Sequence, residues 1–301
     1  MSAVLVLLAG VFLLPLVREA LRSPVSRMRA QTGPIALARL PQGATRYRWF
    51  GPEGGPVIVA VHGLTSPSEV FDPLALTLAQ HGFRVLSYDL YGRGLSDDPA
   101  EPQTAGHFLR QLEGLLDDQK VTGRTILVGY SMGGQIASLL AAAHPDRVSA
   151  LVLLAPAGMG LAVTRFWRLA RDAGPFGSGL VLAFGDLALA RGMAPSGPLR
   201  NSQLRQLQRR GYLAAVLSSM RGVIAMSLEE TQREIGRRAC PTLAIWAGRD
   251  AVIPAAAMGR LALWNRAAEQ EVLQDADHSL PATHPEQIAR LIIDFLGRRV
   301  L

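Results

Sequence analysis

Residues 124–134 have the sequence R-T-I-L-V-G-Y-S-M-G-G. The β-branched run up to Gly129 predicts a strand, and the apolar residues at 132–143 predict a helix. Ser131 therefore lies on a sharp strand-to-helix turn, which the small Gly129 and Gly133 permit. Such a turn raises the serine above the carboxyl edge of a sheet and directs the first free amides of the helix toward it. The stretch predicts an α/β fold and a nucleophilic serine.

Short apolar runs alternate with longer amphipathic segments along most of the chain. This alternation is typical of a mostly parallel central β-sheet with helices on both faces. Two weaker runs, at residues 35–39 and 45–50, predict an antiparallel hairpin near the amino terminus. The predicted central strands span residues 57–61, 83–88, 124–129, 148–154, 242–247 and 269–273, and the predicted helices span residues 71–81, 104–118, 132–143, 255–265 and 285–298.

A long interruption separates two of these strands. The 87 residues between positions 154 and 242 far exceed what one crossover helix needs. Four helices are predicted there, near residues 161–172, 179–191, 200–211 and 213–229. We interpret the segment as an inserted helical cap. The predicted division of the chain is then a hydrophobic anchor at residues 1–22, a linker at 23–33, a core at 34–156 and 237–301, and the cap at 157–236.

A serine nucleophile needs a histidine base, and the base needs an acid that orients it. In this architecture the three residues occur along the chain in the order serine, acid, histidine. Of the six histidines, three follow Ser131. His144 ends the helix after the serine, away from the carboxyl edge, and His284 precedes a proline at a predicted helix start. His278 directly follows the last predicted strand, where a loop can place its imidazole over Ser131. We predict His278 as the general base.

The acid is predicted from its position after the neighbouring strand. Asp250 follows the strand at 242–247, at the same carboxyl edge. Asp275 and Asp277 are too close to His278 along the chain to orient its ring well. Asp250 is therefore expected to hold the tautomer of His278 and to stabilise the imidazolium.

Two backbone amides are predicted to stabilise the oxyanion. One belongs to Met132, directly after the nucleophile, and the other to Leu64, in the loop after the strand at 57–61. Gly63 permits a turn that points the Leu64 amide inward. His62 lies at the strand end beneath this loop, and we expect a structural role for it.

Composition excludes several classes of protein. A chain of 301 residues with 49% hydrophobic residues can bury a large core, which excludes a disordered protein. The single cysteine, Cys240, excludes an internal disulfide and a thiolate zinc site. We expect no metal and no cofactor.

The net charge of +7 is concentrated in one segment. Residues 157–238 contain twelve arginines and five acidic residues, whereas the rest of the chain is close to neutral. This concentration favours an anionic lipid or substrate, and no nucleic acid, as the partner. The alternative is that the arginines reflect the codon bias of the genome and form a solvated face without a binding role. Phe166, Trp167 and Phe184, which are interleaved with these arginines, are candidate substrate contacts; the alternative is that they pack the cap onto the core.

The amino-terminal residues 2–17 contain no charge. As a helix they would be about 24 Å long, slightly short of the roughly 30 Å hydrocarbon core of a bilayer. Because Arg18 and three further arginines up to Arg29 follow the run, the positive-inside rule predicts a cell-membrane anchor with the catalytic domain in the cytoplasm. The alternatives are a cleaved secretory signal, which would make the protein secreted or periplasmic, and a soluble helix packed on the domain.

The chain resembles the alpha/beta-hydrolase superfamily over about residues 34–299. The resemblance rests on ordered motifs: H-G-L-T at 62–65, Y-D-L-Y-G-R-G-L-S-D at 88–97, G-Y-S-M-G-G at 129–134, P-A-G at 156–158, G-R-D-A-V-I-P at 248–254 and D-H at 277–278. Such motifs are specific for the fold and the triad but only weakly specific for the substrate. Within the superfamily, the apolar amino terminus, the S-M-G-G turn and the four-helix cap are most similar to membrane-associated monoacylglycerol lipases and related esterases.

The predicted function is a serine hydrolase that cleaves a carboxylic ester of a lipid, such as a monoacylglycerol or lysolipid, or of another apolar acyl compound. The haloalkane dehalogenases and epoxide hydrolases of the superfamily are excluded because they need an aspartate where Ser131 stands. Carbon–carbon bond hydrolases, perhydrolases and acyltransferases share the same triad and are the alternatives. A non-catalytic ligand-binding protein on this fold is a further alternative.

Overall fold

The structure, a computed structural model, describes residues 13–194 and 197–300. Its centre is an eight-stranded sheet in the order β1-β2-β4-β3-β5-β6-β7-β8. β1 and β2 form the predicted antiparallel hairpin, β2 is antiparallel to β4, and the other neighbouring strands are parallel. The strands are β1 (Leu37–Leu40), β2 (Gly43–Phe50), β3 (Val57–Val61), β4 (Arg84–Tyr88), β5 (Thr125–Tyr130), β6 (Val148–Leu154), β7 (Thr242–Ala247) and β8 (Glu269–Leu273).

Helices cover both faces of this sheet, as predicted. α3 and α13 pack against each other on one face, and α4, α5 and α10 form the layer on the other. The helices are α1 (residues 13–21), α2 (Val25–Thr32), α3 (Asp72–Gln80), α4 (Ala105–Asp118), α5 (Met132–Ala143), α6 (Arg165–Asp172), α7 (Gly174–Ala190), α8 (Gly197–Leu207), α9 (Tyr212–Arg221), α10 (Glu229–Arg237), α11 (Ala256–Trp264), α12 (Leu280–Thr283) and α13 (Pro285–Arg299). The sheet and its helical layers confirm the predicted fold class.

The central strands are buried on both sides. Every residue of β5 and all but the first of β3 are buried, which explains why these strands are continuous apolar runs in the sequence. β3, β5, β7 and β8 are parallel, so their carboxyl ends lie at one edge of the sheet. The segments that leave this edge carry all of the predicted functional residues.

The cap helices α6 to α9 lie between β6 and β7 and share a separate apolar cluster. The predicted helix at 213–229 ends at Arg221, because the backbone of Gly222 leaves the helical conformation, with φ −100° and ψ −109°. Gly222 also packs tightly against the loop before α4, where a Cβ would lie 2.3 Å from the Gln103 carbonyl oxygen. The chain then continues into α10, which packs on α5. This packing places α10 beside the core. The domain boundaries given above remain a prediction.

A buried arginine joins the cap to the core. Arg93, in the loop after β4, is fully buried. Its guanidinium donates to the Ser219 hydroxyl at 2.9 Å and to the Ala215 carbonyl at 3.3 Å, both in α9, and also to the Leu64 carbonyl at 3.1 Å. Burial lowers the pKa of Arg93 to about 10. The arginine remains charged at neutral pH, and its bonds hold the cap helix, the Leu64 loop and the sheet edge together.

The predicted amino-terminal membrane anchor is not supported. Residues 1–12, which hold most of the predicted span, lie outside the described residues. Over the described part of the chain, no helix is both long and apolar enough to cross a membrane. The predicted location at the cell membrane, held by a single anchor, is wrong on this finding.

Residues that were expected to flank the anchor instead contact the cap. Arg18 forms an ion pair with Asp186 of α7 and donates to the Ala183 carbonyl. Arg22, which is buried, donates to the Leu207 carbonyl at 3.0 Å and lies 3.5 Å from the Asp186 carboxylate. The charges after the apolar run are therefore used to pack this segment on the protein, which charge counting along the sequence could not reveal.

Candidate active site

Ser131 occupies the turn between β5 and α5 in a strained conformation. Its φ is 53° and its ψ is −118°, values that a non-glycine residue adopts only when its surroundings enforce them. The Ser131 N–H donates to the Leu154 carbonyl at 2.9 Å, and the Ser131 carbonyl accepts from the N–H groups of Gly134 at 3.0 Å and Ala157 at 2.9 Å. These bonds hold the side chain above the carboxyl edge of the sheet, where the sequence predicted it.

The glycines around Ser131 permit close backbone packing. A Cβ on Gly129 would lie 2.5 Å from the Gly133 carbonyl oxygen, and a Cβ on Gly133 would lie 1.9 Å from the Val61 carbonyl oxygen. Both distances are far below van der Waals contact, and the atoms in the way belong to the backbone. The start of α5 can therefore approach the end of β3 only because residue 133 is glycine, and it can lie against the end of β5 only because residue 129 is glycine.

Replacing Gly133 with alanine should lower the free energy of unfolding by about 3 kcal/mol or more, because the backbone at the sheet edge must move to admit the methyl group. Thermal or urea unfolding followed by circular dichroism measures this change. Gly259→Ala is the matched control, since Gly259 lies in helix α11 with no atom within 4 Å of an added Cβ. There alanine should keep or slightly raise the stability. Equal stability of the two variants would contradict the packing argument.

The structure brings Ser131, His278 and Asp250 together. The distance from Ser131 Oγ to His278 Nε2 is 3.1 Å, and the distance from His278 Nδ1 to Asp250 Oδ2 is 2.8 Å. The Asp250 side chain is 4% exposed, and its Oδ1 accepts from the N–H groups of Val252 at 2.7 Å and Ile253 at 2.9 Å. The carboxylate is thus held rigidly and can orient the ring. This is the geometry of a serine nucleophile with an oriented base.

The hydrogen bonds assign the state of the His278 ring. An ionised Asp250 only accepts hydrogen bonds, so Nδ1 carries the proton and Nε2 is free to accept from the Ser131 hydroxyl. Tyr130, the residue before Ser131, donates its hydroxyl to the His278 carbonyl at 2.8 Å. Burial raises the pKa of Tyr130, so the phenol keeps the proton that it donates. This support for His278 was missed from the sequence, where Tyr130 was simply part of a strand.

The residues rejected as base or acid lie in other environments. His144 contacts Glu113 at 2.7 Å at the far end of α5, and His284 lies 3.5 Å from Asp275 at the start of α13. The exposed Asp277 accepts from the Ser279 N–H at 2.8 Å. His144, His284 and Asp277 thus each contact a local partner, and none of these contacts is with Ser131.

The predicted oxyanion donors flank Ser131. Met132 is the first residue of α5, so its N–H has no acceptor in a preceding helical turn. The Leu64 loop lies close to Ser131: a Cβ on Gly63 would lie 3.2 Å from Ser131 Cβ. Within the described residues, neither amide donates a hydrogen bond to another protein group. Both are therefore available to a developing negative charge.

His62 supports the Leu64 loop from below. The ring is fully buried, its Nε2 accepts from the Leu90 N–H at 2.8 Å, and its Nδ1 donates to the Gly63 carbonyl at 2.8 Å. Burial lowers the pKa of His62 to about 4, although the nearby Asp89 carboxylate opposes the shift. A neutral, fully buried His62 thus fixes the turn at Gly63.

A cavity of about 770 Å³ lies above Ser131. Its floor is formed by the Leu64 loop, Ser131 and His278, and its roof by the cap. All three cap candidates line it, together with apolar residues that the sequence did not single out. The candidates are Phe166, Trp167 and Phe184, and the residues missed are Leu161, Val163, Leu187, Leu189, Met193, Val216 and Met220. Nothing in their local sequence separates them from ordinary core residues, since only the folded cap places them over the serine.

Metal-ligating side chains do not cluster in the part of the chain that the structure describes: no group of three or more His, Cys, Asp or Glu residues is arranged to hold an ion. Cys240 lies half-buried before β7 and does not line the Ser131 cavity, and its pKa is raised by burial.

Comparisons with known proteins agree with this architecture. The sequence profile of the alpha/beta hydrolase fold matches residues 56–285. A 2-hydroxymuconate semialdehyde hydrolase from Pseudomonas putida is 30% identical over 230 residues, which cover 71% of this chain and 77% of that protein. The lipase LipV from Mycobacterium tuberculosis is 40% identical over 108 residues, which cover 36% of this chain and 40% of the lipase. The match thus spans less than half of the lipase.

Among solved structures, the enol-lactonase from Burkholderia xenovorans LB400 superposes with a TM-score of 0.72 at 25% identity, over 87% of this chain and 100% of the lactonase. The profile match covers most of the chain. It includes the central strands and the segments directly after them, which contain Leu64, Ser131, Asp250 and His278. The chain therefore belongs to the alpha/beta hydrolase family, and it is a hydrolase.

Proposed function

We propose that this hydrolase cleaves carboxylic esters of lipid-like compounds with an apolar acyl chain, such as a monoacylglycerol or a lysolipid. The observation that carries the proposal is the hydrogen-bonded series Ser131, His278, Asp250 beneath a large, mainly apolar cavity. The similarity to a lipase and to an enol-lactonase, whose names refer to ester-bond hydrolysis, supports the same class of reaction.

In the proposed mechanism, His278 Nε2 takes the proton of the Ser131 hydroxyl as Oγ attacks the ester carbonyl carbon. The carbonyl oxygen becomes an oxyanion, which accepts hydrogen bonds from the Leu64 and Met132 amides. His278 then returns the proton to the leaving alcohol oxygen as the carbon–oxygen bond breaks. His278 then takes a proton from water as the water oxygen attacks the acyl carbon, and it gives that proton to Ser131 Oγ as the bond between the acyl carbon and Oγ breaks. The acid is released, and Ser131 and His278 return to their starting states. Asp250 stabilises the imidazolium throughout and stays ionised.

The cavity lining supports an apolar acyl chain. Phe166, Trp167 and Leu189 line the roof, and Val252 lies near the floor. Each methylene that moves from water into such a lining contributes up to about 0.8 kcal/mol. Because this free energy favours binding of the acyl chain next to Ser131, we expect kcat/KM to rise with acyl length until the cavity is filled.

The test is a series of 4-nitrophenyl esters from acetate to dodecanoate, followed by a monoacylglycerol. We expect kcat/KM to rise by about tenfold or more between acetate and octanoate, and Trp167→Ala to flatten the rise. Leu263→Ala, on an exposed position of α11, is the control and should leave the profile unchanged. A preference for acetate without turnover of the monoacylglycerol would overturn the lipid-like substrate.

A carbon–carbon bond hydrolase is the second candidate. Its support is the 2-hydroxymuconate semialdehyde hydrolase, which aligns with most of both chains. A semialdehyde of this kind contains no ester, so its hydrolysis breaks a carbon–carbon bond, and the same serine and histidine can serve that reaction. Turnover of 2-hydroxymuconate semialdehyde with kcat/KM above that of the octanoate ester would favour this candidate over the ester hydrolase.

A further inference from the structure

The arginines of residues 157–238 fall into two groups. Nine of the twelve bond to a carboxylate or a backbone carbonyl: Arg171, Arg200, Arg205, Arg209, Arg210, Arg221, Arg233, Arg237 and Arg238. The guanidinium groups of the other three, Arg165, Arg168 and Arg191, make neither a hydrogen bond nor an ion pair with any other described residue. Most of the positive charge noted in the sequence is thus bound to partners within the protein, and three guanidinium groups are not.

Two of the three unpaired arginines line the Ser131 cavity. Arg165 is the first residue of α6, and Arg191 directly follows α7. Both are exposed and line the same cavity as Ser131 and His278, whereas the exposed Arg168 does not line it. Arg165 and Arg191 therefore belong to the open rim of the cavity.

The rim contains no compensating negative charge. None of the described residues that line the cavity is an aspartate or a glutamate. Two like charges on one cavity raise its positive potential, and the first turn of α6 adds the positive end of a helix beside Arg165. An anion at the rim would lower the energy of this arrangement, and a guanidinium can donate two parallel hydrogen bonds to a carboxylate or a phosphate.

The same rim also carries exposed apolar side chains. Phe184 is 46% exposed and Leu187 is 56% exposed, and both line the cavity. The mouth is therefore amphipathic, with apolar and cationic groups side by side above an apolar interior. A fully apolar ester would leave both arginines without a partner, whereas an amphiphile with one anionic group matches both parts.

We propose that Arg165 and Arg191 form an anion-binding subsite at the mouth of the Ser131 cavity. The preferred substrate is then an amphiphilic ester with an apolar acyl chain and a carboxylate or phosphate on its alcohol part. This inference rests on the proposed ester hydrolase function and adds the substrate's charge to it. The two arginines act on substrate binding and take no part in the proton transfers.

The kinetic test uses three aryl octanoates that differ only in the para group of the alcohol part: phenyl, 4-carboxyphenyl and 4-phosphophenyl octanoate. Release of octanoate gives kcat/KM for each. In the double variant Arg165→Ala/Arg191→Ala, kcat/KM for the two charged esters should fall about 10- to 100-fold relative to the wild type. For the neutral ester it should change less than about twofold. The carboxylate and phosphate arms show which anion the subsite prefers.

Arg168→Ala is the matched control, since it removes an exposed, unpaired charge that lies on the same helix as Arg165 but outside the cavity. It should leave the ratio of charged to neutral turnover as in the wild type. The variant Arg165→Lys/Arg191→Lys should keep part of the wild-type ratio, because lysine keeps the charge but not the paired donors. The dependence on the arginines should also weaken at high salt. An equal loss for charged and neutral esters, or the same ratio change in Arg168→Ala, would overturn the subsite.

A binding measurement separates this inference from the proposed function. In a Ser131→Ala background, calorimetry with 4-carboxyphenyl octanoate should give a Kd about tenfold or more weaker once both arginines are replaced. If the wild type hydrolyses none of the esters, the proposed function fails while this Kd still decides the subsite. If the wild type hydrolyses them and the Kd does not depend on the arginines, the subsite is wrong and the hydrolase function stands.

Discussion

Replacing Ser131 with alanine should abolish ester hydrolysis, with kcat/KM lower by at least about 10⁴-fold. Ser131 Oγ is 3.1 Å from His278 Nε2, and removing it removes the atom that forms the acyl-enzyme. Residual turnover can come only from the oxyanion donors and substrate binding, which cannot replace a nucleophile. The measurement is kcat/KM on 4-nitrophenyl octanoate.

A fluorophosphonate probe gives an independent readout of the same prediction. It reacts covalently with an activated serine, so the wild type should be labelled and Ser131→Ala should not. Ser138→Ala is the matched control, because Ser138 lies on the same helix and its hydroxyl donates to the Gly134 carbonyl at 2.8 Å. Its labelling should match the wild type. Equal labelling of Ser131→Ala would show that another residue is the nucleophile.

Replacing Asp250 with asparagine should lower kcat by about 10⁴-fold while leaving the fold intact. The asparagine amide would donate toward His278 Nδ1, which favours the tautomer that carries its proton on Nε2. That nitrogen could then no longer accept the proton of Ser131. The loop at Asp250 should remain in place, since the asparagine carbonyl can still accept from the Val252 and Ile253 amides.

The matched control for this variant is Asp277→Asn. Asp277 adjoins His278 in the chain, is exposed, and accepts from the Ser279 amide. Its replacement should change kcat less than about threefold. Circular dichroism and thermal unfolding verify that both variants are folded. If Asp277→Asn lost as much activity as Asp250→Asn, the assignment of Asp250 as the acid that orients His278 would be contradicted.

The central sheet could be predicted closely because its signals are local. The predicted strands at 57–61, 148–154, 242–247 and 269–273 match β3, β6, β7 and β8 residue for residue. A strand buried on both faces must be a continuous apolar run, and glycines, prolines or polar turns must bound it. These requirements are visible within a few neighbouring residues.

The positions of the functional side chains could also be anticipated, since parallel strands impose a common edge. Ser131, Asp250 and His278 each follow a parallel strand, so chain order and strand ends suffice to bring them to one side of the sheet. Their catalytic roles are predictions that the variants above test. The support from Tyr130 and Arg93 was missed, because a tyrosine in a strand and an arginine in a loop look the same whether or not they reach the site.

The amino terminus shows the limit of charge counting. Arginines after an apolar run favoured a membrane anchor, but Arg18 and Arg22 bind Asp186 of α7. Asp186 lies more than 160 residues away in the chain. No local sequence pattern identifies a partner so distant in the chain. The sequence around an arginine can be the same whether its guanidinium binds a carboxylate or lies at a membrane surface.

For this chain, the sequence was sufficient to predict the positions of the central strands, the residues that follow their carboxyl ends and the turn at Ser131. The reason is that hydrophobic periodicity and glycine sterics act over short distances along the chain. The folded chain was needed to show which arginines are bound and which line the cavity. The nine paired arginines and the unpaired Arg165 and Arg191 carry the same charge, and they differ only in the groups that long-range packing places beside them.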